Sequence, residues 1–282
     1  MMAAATANAQ LRVYYWIMAP AIALMAVFFL GPLLQVLWLS VSDPVLGLQN
    51  YRALIENAFV HRIWGNTLRI CLMTSAVSVL LGYALAYAMA HVGERHRTAM
   101  FFCILLTFWL SVLIRSFAWI MLLRGEGVIN TVLTSIGLIN QPLRLVRNEL
   151  GVIIGMTHYM LPIAALTIYA NMRTISRRYV DAARSLGASP LQAFLLVYLG
   201  LTKPGILAAG ILVFIFSLGF YITPAILGGG GIVMITEYIR VSFEDTLRWG
   251  YATMLASTLL FGLVVVLAVF ARVVDLKKVF GA

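Results

Sequence analysis

The stretch that decides the fold is Arg177–Ile206, which reads RRYVDAARSLGASPLQAFLLVYLGLTKPGI and separates two long apolar runs. Within it, Tyr179–Leu186 predicts a short helix, because its apolar side chains recur on one face. Gly187 can end that helix in the left-handed backbone conformation, since glycine has no Cβ to clash. The first half of the stretch is therefore expected to be a helix that stops at a glycine turn.

The second half of the stretch carries the signals of a new helix. Ser189 is a good N-cap, and Pro190 suits the first helical position, where its missing N–H costs no hydrogen bond. Gln192 completes a capping box, because its side chain can return a hydrogen bond to the Ser189 N–H. We expect this helix to end before Pro204 and Gly205, which break the pattern. The whole stretch thus predicts a helix–turn–helix.

The composition excludes a soluble globular protein. Hydrophobic residues make up 62% and charged residues 11% of the 282 residues, against about 45–50% and about 25% in soluble chains. Apolar runs long enough to cross a bilayer recur, and each span should be a helix because no water is available there to satisfy backbone groups. We predict an all-α membrane protein with a single transmembrane domain, residues 1–282. The six predicted spans are residues 13–41, 66–90, 99–123, 150–172, 206–227 and 251–273, and Pro162 is expected to break the fourth.

The net charge of +10 is explained by membrane topology. With six spans, Arg177, Arg178 and Arg184 lie on the same side as both termini, and that side holds few acids. Cytoplasmic segments of membrane proteins carry such an excess of arginine and lysine. Both termini and the 177–206 stretch are therefore predicted to be cytoplasmic in a multi-pass protein surrounded by membrane lipids. A nucleic-acid partner is not expected.

The chain lacks the residues that ion-coupled carriers and membrane enzymes use for transport or catalysis. No Asp or Glu falls within the predicted spans, although proton-coupled carriers generally need a carboxylate there. The chain also shows no Walker motif, no paired carboxylates, no nucleophile–base set and no metal-ligand spacing. We therefore expect no catalytic residue, metal or cofactor on this chain. A secondary carrier or channel, and an integral-membrane enzyme, are the alternatives.

Polar and aromatic residues inside the spans are candidates for a translocation path. Arg115 lies about 12 Å from the outer end of its span, at about 1.5 Å per residue, so it should face the bundle interior. It could contact a solute or hold carbonyls near a broken helix, and we favour the second because Arg115 would repel a cation. The other candidates, for which packing is the alternative, are Trp119, His158, Tyr159, Phe216, Phe220 and Tyr221.

Three acids on the outer side could attract a cation or meet a partner protein. They are Glu237, Glu244 and Asp245. Charged residues on an amphipathic segment usually form a solvated face, and this is the default expectation here.

The 177–206 stretch resembles the coupling loop of ABC importer permeases, whose pattern is Glu-Ala-Ala, three residues, Gly, nine residues and Ile. Asp181-Ala182-Ala183 precedes Gly187 at the matching spacing, with Asp in place of Glu, and Gly200 stands where the family has a proline. The resemblance implies a type I ABC importer permease fold, in which this loop docks into a cleft on a cytoplasmic ATPase and passes on its motion. The loop residues expected to matter are Asp181, Ala182, Ala183, Gly187, Ser189, Pro190, Pro204 and Gly205.

Further segments are similar to polyamine-type permeases. They are Leu113–Trp119, Gly127–Asn130, Tyr159–Pro162, Ser217–Pro224 and Leu227–Gly229. This resemblance implies a subunit of a bacterial inner-membrane importer for a small cationic solute such as spermidine or putrescine, with an opine or another small amino compound as the alternative. It also implies three partners: an ATPase dimer that binds ATP and Mg, a second related permease subunit in a heterodimer, and a periplasmic solute-binding protein.

Overall fold

The computed structural model describes the backbone of residues 2–273 and the side chains of residues 14–272. These residues form helices, joined by turns and short loops, and no strand occurs among them. The helices are α1 (Met2–Ser42), α2 (Gln49–Glu56), α3 (Ala58–His91), α4 (Glu94–Trp109), α5 (Val112–Leu123), α6 (Val128–Ser135), α7 (Glu149–Met172), α8 (Arg178–Ser185), α9 (Pro190–Gln192), a π-helical turn (Ala193–Tyr198), α10 (Leu199–Leu218), α11 (Ile222–Gly228), α12 (Ile235–Arg240), a second π-helical turn (Val241–Asp245) and α13 (Trp249–Val273). The ends of the chain that were predicted to be cytoplasmic, residue 1 and residues 274–282, lie outside this description.

Five helical segments are long and apolar enough to cross a bilayer. They are Tyr14–Ser42, Ala58–His91, Glu149–Met172, Pro190–Leu218 and Trp249–Arg272. A bent pair, Glu94–Trp109 with Val112–Ser135, passes the same test and raises the number to six if it is one span. The predicted class, an all-helical membrane protein, is therefore confirmed.

The chain divides into two compact units. The smaller contains the described part of Met1–Asn57 and Ile239–Phe261, and the larger contains Ala58–Tyr238 and the described part of Gly262–Ala282. In the larger unit, α3 packs along α7, and α10 packs against both. Gly82 permits the close approach of α3 to α7, because a Cβ added there would lie 2.8 Å from the Ala164 Cβ.

The third predicted span is not one straight helix. α4 ends at Trp109, α5 begins at Val112, and the two segments are bent by 100°. The residues between them, Leu110 and Ser111, are neither proline nor glycine, and Ser111, the N-cap of α5, is the one local signal of the break. A side chain from further along the chain, Arg115, bonds to carbonyls at the break.

The two breaks that were predicted at prolines are absent. α7 continues through Pro162, and the helix that begins at Pro190 continues through Pro204 and Gly205. A proline removes one backbone hydrogen bond, but a membrane-spanning helix tolerates this loss where its neighbours support it. Pro162 is buried within the larger unit. Gly205 serves packing, since a Cβ added there would lie 2.6 Å from the Asn171 Cβ on α7.

Candidate coupling loop and translocation path

The predicted glycine turn is present after α8. Gly187 has a φ of +92°, in the left-handed region that favours glycine. The Gly187 N–H donates to the Arg184 carbonyl at 3.0 Å, and the Ala188 N–H donates to the Ala183 carbonyl at 3.1 Å. These bonds satisfy carbonyls that the end of a helix would otherwise leave without partners.

The predicted capping box is also present. The Gln192 N–H donates to the Ser189 Oγ at 3.3 Å, and the Ser189 N–H donates to the Gln192 Oε1 at 2.8 Å. Pro190 occupies the first turn of the new helix. Gly187 and the capping box together fix the angle between α8 and α9 with local bonds, which explains why the sequence alone predicted this turn.

The tip of the helix–turn–helix exposes large apolar side chains that the sequence analysis missed. Leu186 is 90% exposed and Leu191 is 65% exposed. Leu186 had been expected to lie on the apolar face of the first helix. A shallow pocket of about 470 Å³ lies beside them and is lined by Asp181, Arg184, Ser185, Gly187, Ala188 and Pro190. Apolar groups at the tip of a polar loop are typical of a surface that another protein covers.

Aromatic rings connect the helix–turn–helix to the end of α3. We call Tyr87, His91, Phe194 and Tyr198 the aromatic cluster. The Tyr87 ring lies 5.6 Å from Phe194 and 5.7 Å from Tyr198, and the His91 ring lies 5.6 Å from Tyr198, all measured between ring centroids. Phe194 and Tyr198 belong to the π-helical turn Ala193–Tyr198, a type of element that occurs frequently at functional sites. A displacement of this turn must therefore move the end of α3 or break these contacts.

Arg115 holds the bend between α4 and α5. Its side chain is buried, with 7% of the residue exposed. The guanidinium donates to the Thr107 carbonyl, and it donates to the Leu110 carbonyl at 3.2 Å. It also lies over the Tyr159 ring, 4.9 Å from the centroid. These contacts agree with the structural interpretation of Arg115, although the broken helix is α4–α5 and not α7. A direct role in solute transfer stays a prediction.

Some of the other candidates for the translocation path contact each other through their rings in the structure, and the rest do not. The Trp119 Nε1 donates to the His158 Nδ1 at 3.2 Å. The Tyr159 and Phe220 rings lie 4.5 Å apart, so Phe220 is connected through Tyr159 to Arg115. Two further candidates, Phe216 and Tyr221, are exposed and share no ring contact with these residues in the described part of the chain. Membership of a path is untested for all seven.

A crevice of about 520 Å³ opens between α3, α4 and α7. Cys103 and Thr107 line it from α4, and His158 and Pro162 line it from α7. Its lining contains no acid among the described residues. The crevice therefore suits apolar groups better than a polyvalent cation.

The expectation of a solvated acidic face is wrong for Glu237. Only 9% of Glu237 is exposed, and it is the one buried acid among residues 14–272. Glu244 and Asp245 do lie at the surface, where Arg240 donates to them at 2.9 Å and 3.4 Å. Periodicity could not show that Glu237 is buried, because its burial depends on how residues 229–238 pack within the larger unit.

Helices that can span a membrane, with a capped helix–turn–helix between two of them, are the arrangement that the resemblance to importer permeases implied. The chain belongs to the family of binding-protein-dependent transport system inner membrane components, which it matches over residues 78–277. The matched range contains the entire helix–turn–helix. Members of this family are ABC importer permease subunits of the inner membrane and are not enzymes themselves.

The names of two relatives indicate which type of permease this chain resembles. The chain is 30% identical to the spermidine/putrescine transport system permease protein PotB of Haemophilus influenzae over 220 residues, which is 77% of each chain. It is 30% identical to PotB of Escherichia coli over 221 residues, covering 78% of this chain and 80% of that protein. The predicted resemblance to polyamine-type permeases is thus confirmed.

A solved structure shares the fold. It is that of a bacterial alginate ABC transporter in complex with alginate pentasaccharide-bound periplasmic protein, with a TM-score of 0.72 and 18% identity over 94% of each chain. At this identity the similarity shows the fold alone.

Proposed function

We propose that this chain is the permease subunit of an ATP-driven importer that moves a polyamine, such as spermidine or putrescine, from the periplasm to the cytoplasm. It works with an ATPase dimer that binds ATP and Mg, with a second permease subunit and with a periplasmic solute-binding protein. Both termini and the helix–turn–helix face the cytoplasm. The chain supplies the path and the coupling element, and hydrolysis takes place on the ATPase.

The observation that carries this proposal is the exposed apolar tip of the helix–turn–helix. Leu186 and Leu191 project from a turn that is fixed by Gly187 and the capping box. A rigid turn costs little conformational entropy when it docks, and burial of a leucine side chain contributes about 1.5–3 kcal/mol. The tip is therefore suited to insertion into a cleft of a partner, and the ATPase is the partner that an importer requires on this side.

The coupling step follows from the continuity of the helix behind the tip. ATP binding closes the ATPase dimer and displaces α8 and α9. The helix from Pro190 to Leu218 is unbroken, so the displacement enters the bundle without a loop to absorb it. The aromatic cluster passes the same displacement to α3. The bundle is thereby biased between inward-open and outward-open states.

The substrate class rests on the relatives and on one buried carboxylate. Both PotB relatives are described as spermidine/putrescine permeases. Glu237 offers the negative charge that a polyammonium ion needs inside a protein, and the neighbouring Thr236 hydroxyl donates to the Phe220 carbonyl at 2.9 Å. Phe220 and Tyr159 supply aromatic faces that can also contact a cation. Because the fold is shared with an alginate transporter, fold alone does not decide between a polyamine and an opine.

The test is co-purification of the tagged chain from its own host in detergent. The ATPase is identified by mass spectrometry and by ATP hydrolysis. Leu186→Gln with Leu191→Gln should reduce the recovered ATPase at least about tenfold, since the burial of each leucine is worth about 1.5–3 kcal/mol. Leu138→Gln is the matched control, because Leu138 is exposed to a similar extent on the opposite side of the membrane. It should leave the recovery unchanged.

Two results would contradict the proposal. One is equal recovery of the ATPase with the tip variant and with the control variant. The other is uptake by the chain alone in sealed vesicles without ATP, which would identify a secondary carrier. Recovery of the ATPase together with stimulation of its hydrolysis by an opine, and not by spermidine, would retain the importer and change the substrate.

A further inference from the structure

Three arginines line one pocket between the end of α5 and the start of α7. They are Arg124, Arg144 and Arg147, and the pocket has a volume of about 690 Å³. We call it the arginine pocket. None of the three forms an ion pair with an acid in the described part of the chain, whereas Arg69 nearby pairs with Glu149. All three arginines are exposed, and together they give the lining of this pocket a positive charge.

A buried asparagine holds the two chain segments of the arginine pocket together. The Asn130 Nδ2 on α6 donates to the Arg124 carbonyl at 3.1 Å and to the Leu143 carbonyl at 3.0 Å. The Asn130 Oδ1 accepts from the Leu143 N–H at 2.8 Å. Arg124 and Arg144 are therefore brought to one pocket by bonds that use every polar atom of this side chain.

The third arginine has an uncommon backbone conformation. Arg147 has a φ of +60°, although it is not glycine, and its N–H donates to the Leu227 carbonyl at 2.8 Å. Conformations of this kind cluster at ligand sites, where the surrounding structure maintains them. The stem of the Arg147 side chain lies against Gly229, since a Cβ added there would be 2.6 Å from the Arg147 Cγ.

The arginine pocket lies next to one end of a helix that can span a bilayer. The segment that carries Arg144 and Arg147 leads directly into Glu149–Met172, a helix that can span a bilayer, and the other end of that helix leads to α8. The pocket is therefore on the side opposite the helix–turn–helix. Basic residues of membrane proteins favour the cytoplasmic side, which is the side predicted for the helix–turn–helix. Three arginines on the opposite side therefore indicate a specific role.

The outward face of α6 exposes two valines together with Thr131, Thr134 and Ser135. Val128 is 60% exposed and Val132 is 49% exposed on this helix, while Asn130 is buried. A short helix that turns its valines outward next to arginines has the pattern of an element lying in the membrane interface, with acyl chains on the apolar side and phosphates at the basic side. An acidic protein surface would match the arginines but would leave these valines unexplained.

We propose that the arginine pocket binds the phosphate of an anionic phospholipid, such as phosphatidylglycerol, in the leaflet opposite the helix–turn–helix. The three guanidinium groups contact the phosphate, and Val128 and Val132 on α6 contact the acyl chains. This lipid site is additional to the proposed transport function and does not depend on the ATPase.

The test uses the full chain in nanodiscs made from equal amounts of phosphatidylglycerol and phosphatidylcholine. The lipids retained after transfer to detergent are counted by native mass spectrometry. The chain should retain phosphatidylglycerol selectively. Arg124→Gln, Arg144→Gln and Arg147→Asn should each reduce that selectivity about fivefold. Asparagine is used at Arg147 because it tolerates the positive φ.

Two control variants separate lost charge from lost folding. Arg62→Gln removes an exposed arginine near the start of α3, outside the pocket, and should not change the retention of phosphatidylglycerol. Arg124→Lys keeps the charge and should retain most of the selectivity. Equal retention of both lipids by the unaltered chain would overturn the proposal.

A second result would replace the lipid proposal with a protein partner. In that result, the pocket variants retain phosphatidylglycerol normally, but the purified transport complex that carries them is no longer stimulated in its ATPase activity by a periplasmic extract. Failure of the ATPase to co-purify would refute the transport function, and selective lipid retention would still stand.

Discussion

Gly187 and Gly200 show how one residue type serves different purposes within the same stretch. A Cβ added at either position would meet nothing within 4 Å. They differ in the backbone, because Gly187 has a φ of +92° and Gly200 lies inside α10. The left-handed conformation costs other L-residues about 1–2 kcal/mol, whereas alanine inside a helix is about 0.5–1 kcal/mol better than glycine. The same substitution should therefore have opposite effects at the two positions.

We expect Gly187→Ala to distort the turn or destabilise it by about 1–2 kcal/mol, and to lower the ATPase recovered with the chain. Gly200→Ala should raise the thermal unfolding temperature slightly and leave the recovery intact. Recovery and unfolding temperature are measured on the same preparations. If alanine were tolerated equally at both positions, the left-handed turn would not be what presents Leu186 to the partner.

The element that transmits motion from the loop is the aromatic cluster. Each edge-to-face ring pair contributes about 0.5–1.5 kcal/mol beyond its buried area. Tyr87→Leu and Phe194→Leu should each weaken the connection between the π-helical turn and α3. We expect these variants to retain the ATPase and to hydrolyse ATP, but to transport fewer solute molecules for each ATP. The loss in the double variant should be smaller than the sum of the two single losses, because both substitutions break the shared Tyr87–Phe194 contact.

A ring pair elsewhere in the chain provides the control. Phe243 and Trp249 stack at 5.8 Å in the smaller unit, away from the helix–turn–helix in sequence. Phe243→Leu should leave the ratio of transport to hydrolysis unchanged. Additive losses from Tyr87→Leu and Phe194→Leu would mean that the two rings act independently and that no linkage passes through them.

The elements that could be predicted from the sequence are those fixed by near neighbours. Gly187 and the Ser189–Gln192 capping box act within a few residues, so their chemistry can be read directly. Pro162 and Pro204 were misjudged because packing within the bundle overrides local propensity in a membrane. The bend before α5 was not located, since Ser111 is a weak signal by itself and the bonds from Arg115 back to the Thr107 and Leu110 carbonyls are tertiary contacts.

At the scale of the whole molecule, the distribution of acids bears on the solute that we propose. No Asp or Glu falls within the six spans predicted from the sequence, whereas the candidate span Glu149–Met172 of the structure begins with an acid. The sequence did not indicate that Glu237 would be buried, because the packing of the segment after α11 is a long-range property. A buried carboxylate favours a cationic solute, because a cation that leaves water needs a compensating charge.

We therefore expect Glu237→Gln to raise the spermidine concentration for half-maximal uptake by at least about tenfold, which corresponds to about 1.4 kcal/mol of lost attraction. Glu244→Gln is the matched control, because Glu244 is exposed and its pair with Arg240 is screened by solvent. Uptake of radiolabelled spermidine is measured in proteoliposomes that contain the complete complex, and unfolding temperatures exclude a general loss of structure. Equal effects of the two substitutions would mean that Glu237 does not select the cation, and would assign specificity to the binding protein.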